Sequence, residues 1–503
     1  MINFRQAKII TIIGGGTAGW FAALSLRKFF ASSIKIQLIE SPKVGIEGGG
    51  EGGLINLIGM LNHLKIPTSE FMQETGATLN WGFCYEGWRT GEKKDVFYHP
   101  FVNVSQDPFQ QEYVGVMPCI SGLISHKIPI AYVVKDFDKI INRVSQGEAI
   151  DALISHSGLI SSFHFDSQRA VDFLKRIACE QGVEYIEAHV QSFKGNKNGY
   201  INKITTDKAV LDTDFIIDAS GFARVVIGKK LKSKWCSFKE YLWLDKVLSF
   251  QMSHHGQVPE LVTRATAMKA GWMWRIPLAE HIDAGYVYSS QFTTEKEAVA
   301  EIEEYLGEKI VPLKTSNFEA GHFEEVWKKN VMALGRASGF VEPLEATLNG
   351  QMLEQLRMFE HTILAMGGIV SDLKIEQFNR ANATSWKGIR DFLAMHYDCP
   401  RRDTPFWQKI AETPHPESYR ALKEVFMLRT PRQRDVQDYV MYGWNSAFHL
   451  ANWVIVAQAL GLISPEGCIE DIKRLPQKQV EYINNYFQNM RIEVQEEPEQ
   501  VYH

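Results

Sequence analysis

Three glycines at GxGxxG spacing, Gly14, Gly16 and Gly19 in GGGTAG, join a β-branched run to a helical one, and that combination can hold a pyrophosphate. The first glycine permits a tight turn, the second lets backbone approach the phosphates, and the third lets helix pack on strand. Thr17 and Ala18 open the helix, whose positive end faces the ligand. Glu40 ends the next apolar run, about twenty residues on, where a carboxylate commonly accepts from an unphosphorylated ribose.

A second group of residues reads as a wall. In GWMWRIPL, Gly271 to Leu278, Trp272 and Trp274 share a face if the segment is extended, and Pro277 ends the pairing or marks an edge. Each indole brings a large apolar area and an N–H that needs a partner, so the pair either packs a core or screens a cavity. Glu345, in PLEAT, precedes helical sequence, where a carboxylate is favourable in its own right. His99, His164, His322 and His396 show no metal-ligand spacing, and His164 reads as a cap for the helix starting near Ser167. The six cysteines form no CxxC pair and no GxSxG occurs, so neither a metal site nor hydrolysis is expected.

The elements that must position these residues are legible from hydrophobic period. Lys8 to Ile13, IKIQLIE, DFIID and NVMAL read as strands. A helix in FHFDSQRAVDFLKRIACEQ ends near Gly182. Small-residue turns follow DFIID at Ala219 to Gly221 and NVMAL at Gly335, so the nucleotide is gripped along its length, as in FAD-binding folds. One FAD site and no NAD(P) site is the resulting expectation. Residues 235–291 alternate as an antiparallel sheet, which gives an FAD-binding α/β domain over 1–348. Helical periods, including WNSAFHLANWVIVAQAL, make a substrate-side subdomain of 349–495, and the acidic end, 496–503, is a flexible tail.

The 503 residues carry 54 Lys and Arg against 59 Asp and Glu, a net charge of −5 too mild for a nucleic-acid or membrane footprint. The glycines inside the one apolar N-terminal run argue against a signal or a span, and the scattered cysteines fit a reducing cytoplasm.

GGGTAGW, GGGEGGLINLIGMLNHLKI (Gly48 to Ile66), GWMWRIPL with its WxWxIP signature and GFVEPLEAT (Gly339 to Thr347) together resemble the flavin-dependent tryptophan halogenase family along nearly the whole chain. The resemblance implies a Rossmann-like domain of the flavin monooxygenase type with a mixed β-sheet layer and a helical C-terminal subdomain. It further implies that FAD reduced by a separate flavin reductase reacts with dioxygen to a hydroperoxide. Chloride, bromide or iodide then attacks that peroxide, and the hypohalous acid travels to a small aromatic substrate. On this resemblance Gly48, Gly50, Val190, Gly335, Arg336 and Asn349 join the glycine loop and Glu40 at the FAD. Trp272, Trp274, Ile276 and Pro277 shield the peroxide, and the amides at Thr347 and Leu348 hold halide. Glu345 polarises the oxidant or takes the arene proton.

Asn80 stands where the family carries lysine. Its amide can orient an oxidant but cannot carry it as a haloamine. Lys93 and Lys94 could replace that lysine only if their loop folds back; consecutive lysines in GEKKD otherwise read as a solvated turn. Two alternatives stay open: an aromatic hydroxylase of the same fold, which usually has aspartate where Arg336 stands, and a flavoprotein without catalysis. Oligomeric state is left open.

Overall fold

The computed structural model describes residues 1–45, 49–101, 118–129 and 161–495. Gly48 and the 496–503 tail therefore lie outside the described residues. The architecture is α/β. A six-stranded sheet runs Trp327–Lys328, Val331–Ala333, Phe215–Asp218, Ile9–Ile13, Lys35–Glu40, Glu184–Glu187, and all but the first pairing are parallel. Its central strands are β-branched and buried because helices cover them, with Thr17–Phe30 and Ser167–Glu180 packed together. The loops that bind a nucleotide in such sheets lie at the carboxyl ends of the strands. Here Gly14, Glu40, Ala219 and Gly335 all sit at those ends.

A seven-stranded sheet lies beside it, in the order Lys314–Asn317, Lys246–Met252, Ile282–Tyr288, Gly271–Pro277, Thr263–Met268, Gly82–Glu86, Val96–Pro100. Local alternation reveals strands but not their partners. The sheet thus draws members from both sides of 235–291, and Gly82–Glu86 joins it parallel to Thr263–Met268. Trp235–Ser237 goes instead to a small sheet with Gly321–Phe323 and Gly339–Phe340.

A third sheet has Ser162–Asp166 at its centre, with Gly50–Gly52 on one edge and Thr78–Asn80 on the other. It places the glycine-rich strap and Asn80 side by side. His164 does not cap the following helix; Asp166 does, accepting from the Arg169 amide at 2.8 Å. His164 is a fully buried strand residue joining Thr78 and Thr263, and burial pushes its imidazole down to about 3.

Helices dominate from Thr347 onward, led by Thr347–Ala365 and Asp372–Tyr397. The helix read from WNSAFHLANWVIVAQAL begins only at Leu450. Tyr442 and Gly443 take left-handed conformations, and the Asn445 amide donates to Glu354 at 2.6 Å, which holds the chain in a loop. No helix among the described residues is long and apolar enough to cross a membrane.

Candidate functional site

The glycine loop divides its labour as the motif requires. A Cβ on Gly14, at φ +118°, would lie 2.2 Å from the Ala219 carbonyl oxygen, and one on Gly19 would lie 1.9 Å from that of Gly14. At Gly16 a Cβ would meet none of the described residues within 4 Å, so this glycine faces open space. Thr17 and Ala18 begin the helix, and Gly335, at φ +60°, presses on Ala18. Glu40 ends its strand against Gly15 and pairs with Lys175 at 3.4 Å. Val190 lies two residues beyond Ala188, whose amide donates to the Glu40 carbonyl at 2.9 Å. Asp218, which the sequence reading passed over, is fully buried at the neighbouring strand end and accepts from the Val226 and Ile227 amides. These features fit the adenosine and pyrophosphate half of FAD.

A cavity of about 320 Å³ has Arg336, the neighbour of Gly335, in its lining. Gly50, Trp272, Trp274, Ile276, Arg336 and Asn349 all line it, as does Leu348. Trp272 and Trp274 share a face with ring centroids 6.3 Å apart, and Trp272 is only 1% exposed whereas Trp274 is half-buried. Small neighbours make this arrangement. Ala265 and Ala267 stand opposite the two indoles on one strand, and Gly285 stands opposite Trp274 on the other. A Cβ on Gly285 would meet the Trp274 ring at 2.1 Å. Pro277 does not line the cavity; its carbonyl accepts from the Thr78 hydroxyl at 2.6 Å and so anchors the strand that ends in Asn80. The cavity has a largely apolar wall with polar groups at its margin, which suits an isoalloxazine ring.

The strap Gly49–Gly52 forms one wall. Asn349 donates from Nδ2 to Glu51 and to the Gly52 carbonyl, both at 3.1 Å, so its side chain ties the strap to the first turn of Thr347–Ala365. Within that first turn the amides of Thr347 and Leu348 have no intrahelical acceptor, and the Thr347 hydroxyl is buried without a partner.

Glu345 lies just off the cavity. It and Ala346 adopt left-handed conformations, at φ 65° and 51°, which cost about 1 kcal/mol or more each in non-glycine residues. The Glu345 carboxylate is fully buried, and its Oε1 accepts from Tyr85, from His99 Nδ1 at 2.7 Å and from His396 Nε2 at 3.2 Å. Among the described residues its Oε2 has no partner. Burial raises the carboxyl, but the His99 charge and the hydrogen bonds from both histidines outweigh burial and hold it at about 2. Glu345 is therefore ionised at neutral pH, with one oxygen fixed and one open. Nearby Glu342, which accepts from Tyr397 at 2.6 Å, has no such cations, and burial pushes it up to about 8.

Asn80 is fully buried. Its Oδ1 accepts from the Gly82 amide at 3.1 Å, which fixes the amide plane and leaves Nδ2 as an unpartnered donor beside Gly52. The lysine rescue fails on geometry: Lys93 donates to the Tyr305 carbonyl at 2.8 Å and Lys94 pairs with Glu92 at 3.2 Å. Asn80→Lys removes the Gly82 acceptor and buries an ammonium, so stability is expected to fall by about 1–3 kcal/mol without a gain in activity. Denaturant melts and halogenation assays check this; higher activity would show that the site accepts lysine.

Sequence reading missed Tyr85, His99 and His396 as partners of Glu345. They come from positions 260, 246 and 51 residues away, and no local pattern links them. Asn452 extends the network, its side-chain amide lying 2.9 Å from His99 Nε2. Of the aromatic residues in the helical region, Phe448 reaches this network, stacking on Phe392 at 3.8 Å, and Trp453 meets the same ring. Phe406 and Trp407 are core, while Tyr442 is exposed. Among the described residues no group of three or more His, Cys, Asp or Glu is placed to hold a metal.

Comparison with known proteins matches residues 9–471 to the tryptophan halogenase family model. The uncharacterized protein y4xG of Sinorhizobium fredii is 38% identical over 493 residues, covering 98% of this chain and 97% of that protein. Tryptophan 7-halogenase RebH of Lentzea aerocolonigenes is 30% identical, covering 93% and 92%. The solved structure of Xcc4156, a flavin-dependent halogenase from Xanthomonas campestris, superposes with a TM-score of 0.77 at 27% identity, covering 97% and 96%.

Proposed function

Because the chain belongs to the tryptophan halogenase family, we propose that it halogenates an electron-rich, indole- or phenol-like arene through hypohalous acid made from halide, dioxygen and reduced FAD. The observation that carries this reading is an indole-walled cavity whose lining includes Ala346, the neighbour of the half-satisfied Glu345 carboxylate. Bound as the reduced anion, FAD would supply, with dioxygen and two protons, the two-electron oxidation of halide to hypohalous acid and water. A separate flavin reductase delivers the reduced coenzyme.

The residues of the chain do the rest. Gly14, Gly16 and Gly19 admit the pyrophosphate, Glu40 faces the ribose, and Arg336 and Asn349 border the ring. Amides of Thr347 and Leu348 hold halide at the positive end of their helix. Trp272, Trp274 and Ile276 exclude the organic substrate and water from the flavin, passing only a small oxidant. Asn80 Nδ2 donates to the hypohalous oxygen and orients it. The arene π-system attacks halogen, the halogen–oxygen bond breaks and hydroxide departs, Glu345 Oε2 takes the ring proton, and that proton then combines with the hydroxide to give water. A carboxylate held at about 2 suits this step, since it is always ionised and the proton of a halogenated ring cation is strongly acidic.

The test supplies FAD, a generic reductase and each halide in turn to the purified protein, with an activated phenol as trap. Halide-dependent halogenation of the phenol is expected. Tight FAD retention with no halide consumed in any of the salts would overturn the reading.

A further inference from the structure

One carboxylate on the cavity wall has no place in that scheme. Asp283, on the strand Ile282–Tyr288 opposite Ile276, is 4% exposed and lines the cavity. Its Oδ1 accepts from Gln251 Nε2 at 3.0 Å and lies 3.5 Å from His281 Nε2. Its Oδ2 is buried without a hydrogen bond of acceptable geometry. The strap closes over this oxygen: a Cβ on Gly49 would lie 2.9 Å from it, and one on Gly50 3.0 Å. At these two glycines the strap backbone packs directly against the carboxylate on the cavity wall.

We propose that Asp283 is the proton-accepting residue of the flavin wall, taking up one proton when the anionic reduced flavin enters and releasing it when the neutral oxidised flavin replaces it. The inference rests on the reading of the cavity as the flavin site. An incoming anion beside a desolvated carboxylate is repelled unless that carboxylate is neutralised, and among the described residues the groups that favour the ionised Asp283 are the neutral Gln251 side chain, the Gly50 amide and His281. The charged groups facing it are His281 on its own strand, Asp166 at the end of the strap's partner strand, and Glu51 on the strap. Lys314 and Arg336 lie elsewhere on the same wall. Burial raises the Asp283 carboxyl, Asp166 adds to the rise, and the sum of the Gln251, His281 and Gly50 contributions does not cancel it.

The experiment titrates the full-length protein anaerobically with reduced FAD, and aerobically with oxidised FAD, from about pH 5 to about pH 9. For the native protein the ratio of the two affinities is expected to shift against reduced FAD by up to about tenfold per pH unit as pH rises, the slope of one linked proton. In Asp283→Asn that slope is expected to vanish and reduced FAD to bind more tightly at high pH, with oxidised FAD bound as before. Asp283→Ser should behave alike. Oxidised-FAD binding certifies that each variant is folded. An unchanged slope in both Asp283 variants overturns the proposal while leaving the flavin site in place. Failure of the native protein to bind FAD in either state overturns the site and the proposal together.

Discussion

Replacing Glu345 by glutamine is expected to lower arene halogenation by about 10²–10⁴-fold while FAD binding stays intact, the range that general acid–base groups contribute. The argument is local. Oε1 is committed to Tyr85, His99 and His396, and a glutamine carbonyl can still accept there, so the loop keeps its anchor. What disappears is the ionised oxygen, and with it the acceptor for the ring proton. A stability control separates this loss from simple damage. Because burial is outweighed and the folded carboxyl is held at about 2, below its unfolded value, its contribution is present above about pH 4.5 and is lost as pH falls through about 2. Glu345→Gln should therefore remove part of the acid dependence of unfolding in that window. Unchanged turnover in a variant that has lost this dependence would end the proton-acceptor role.

Two substitutions in one loop should fail in opposite ways. Gly16→Val is expected to fold normally and to lose FAD affinity by about 100-fold, near 3 kcal/mol. Its backbone is extended at φ −79° and ψ −177°, and none of the described residues meets a Cβ there, so the new side chain enters only the space for phosphate. Gly19→Val has no such room. Its Cβ would press on the Gly14 carbonyl oxygen, forcing helix and strand apart at a cost of at least about 3 kcal/mol before any ligand is considered. Thermal melts with and without FAD distinguish the two. A Gly16 variant that retains native FAD affinity would show that the pyrophosphate does not approach the loop as inferred.

Much of this was legible in the chain because the requirements are local. The parallel strands announce themselves by β-branched runs, and the glycine loop by spacing that only a strand–turn–helix can use. Trp272 and Trp274 fall on one face by the strand period alone. What lay beyond reach was long-range. The Glu345 network joins a strand residue at Tyr85, another at His99 and a helix residue at His396, none of which carries a pattern of its own. Gly285 reads as any strand glycine until the Trp274 ring is seen lying over it. Asn349 was read as a residue of the coenzyme site, and its amide also ties the strap to the helix, a contact spanning almost three hundred positions. The late start of the helix at Leu450 has a similar origin, since the hydrogen bond from the Asn445 amide to Glu354 overrides an apolar run with good helical period.

The account rests on an indole wall that lets a salt-derived oxidant, and not the arene, reach the reactive coenzyme. Its most direct test is the mass of the product formed from one activated arene when only the salt is changed. With chloride and then bromide, the account expects the arene to gain the corresponding halogen in place of one hydrogen and to gain no oxygen. A product bearing an added oxygen atom, the same in every salt and formed equally without halide, would contradict it.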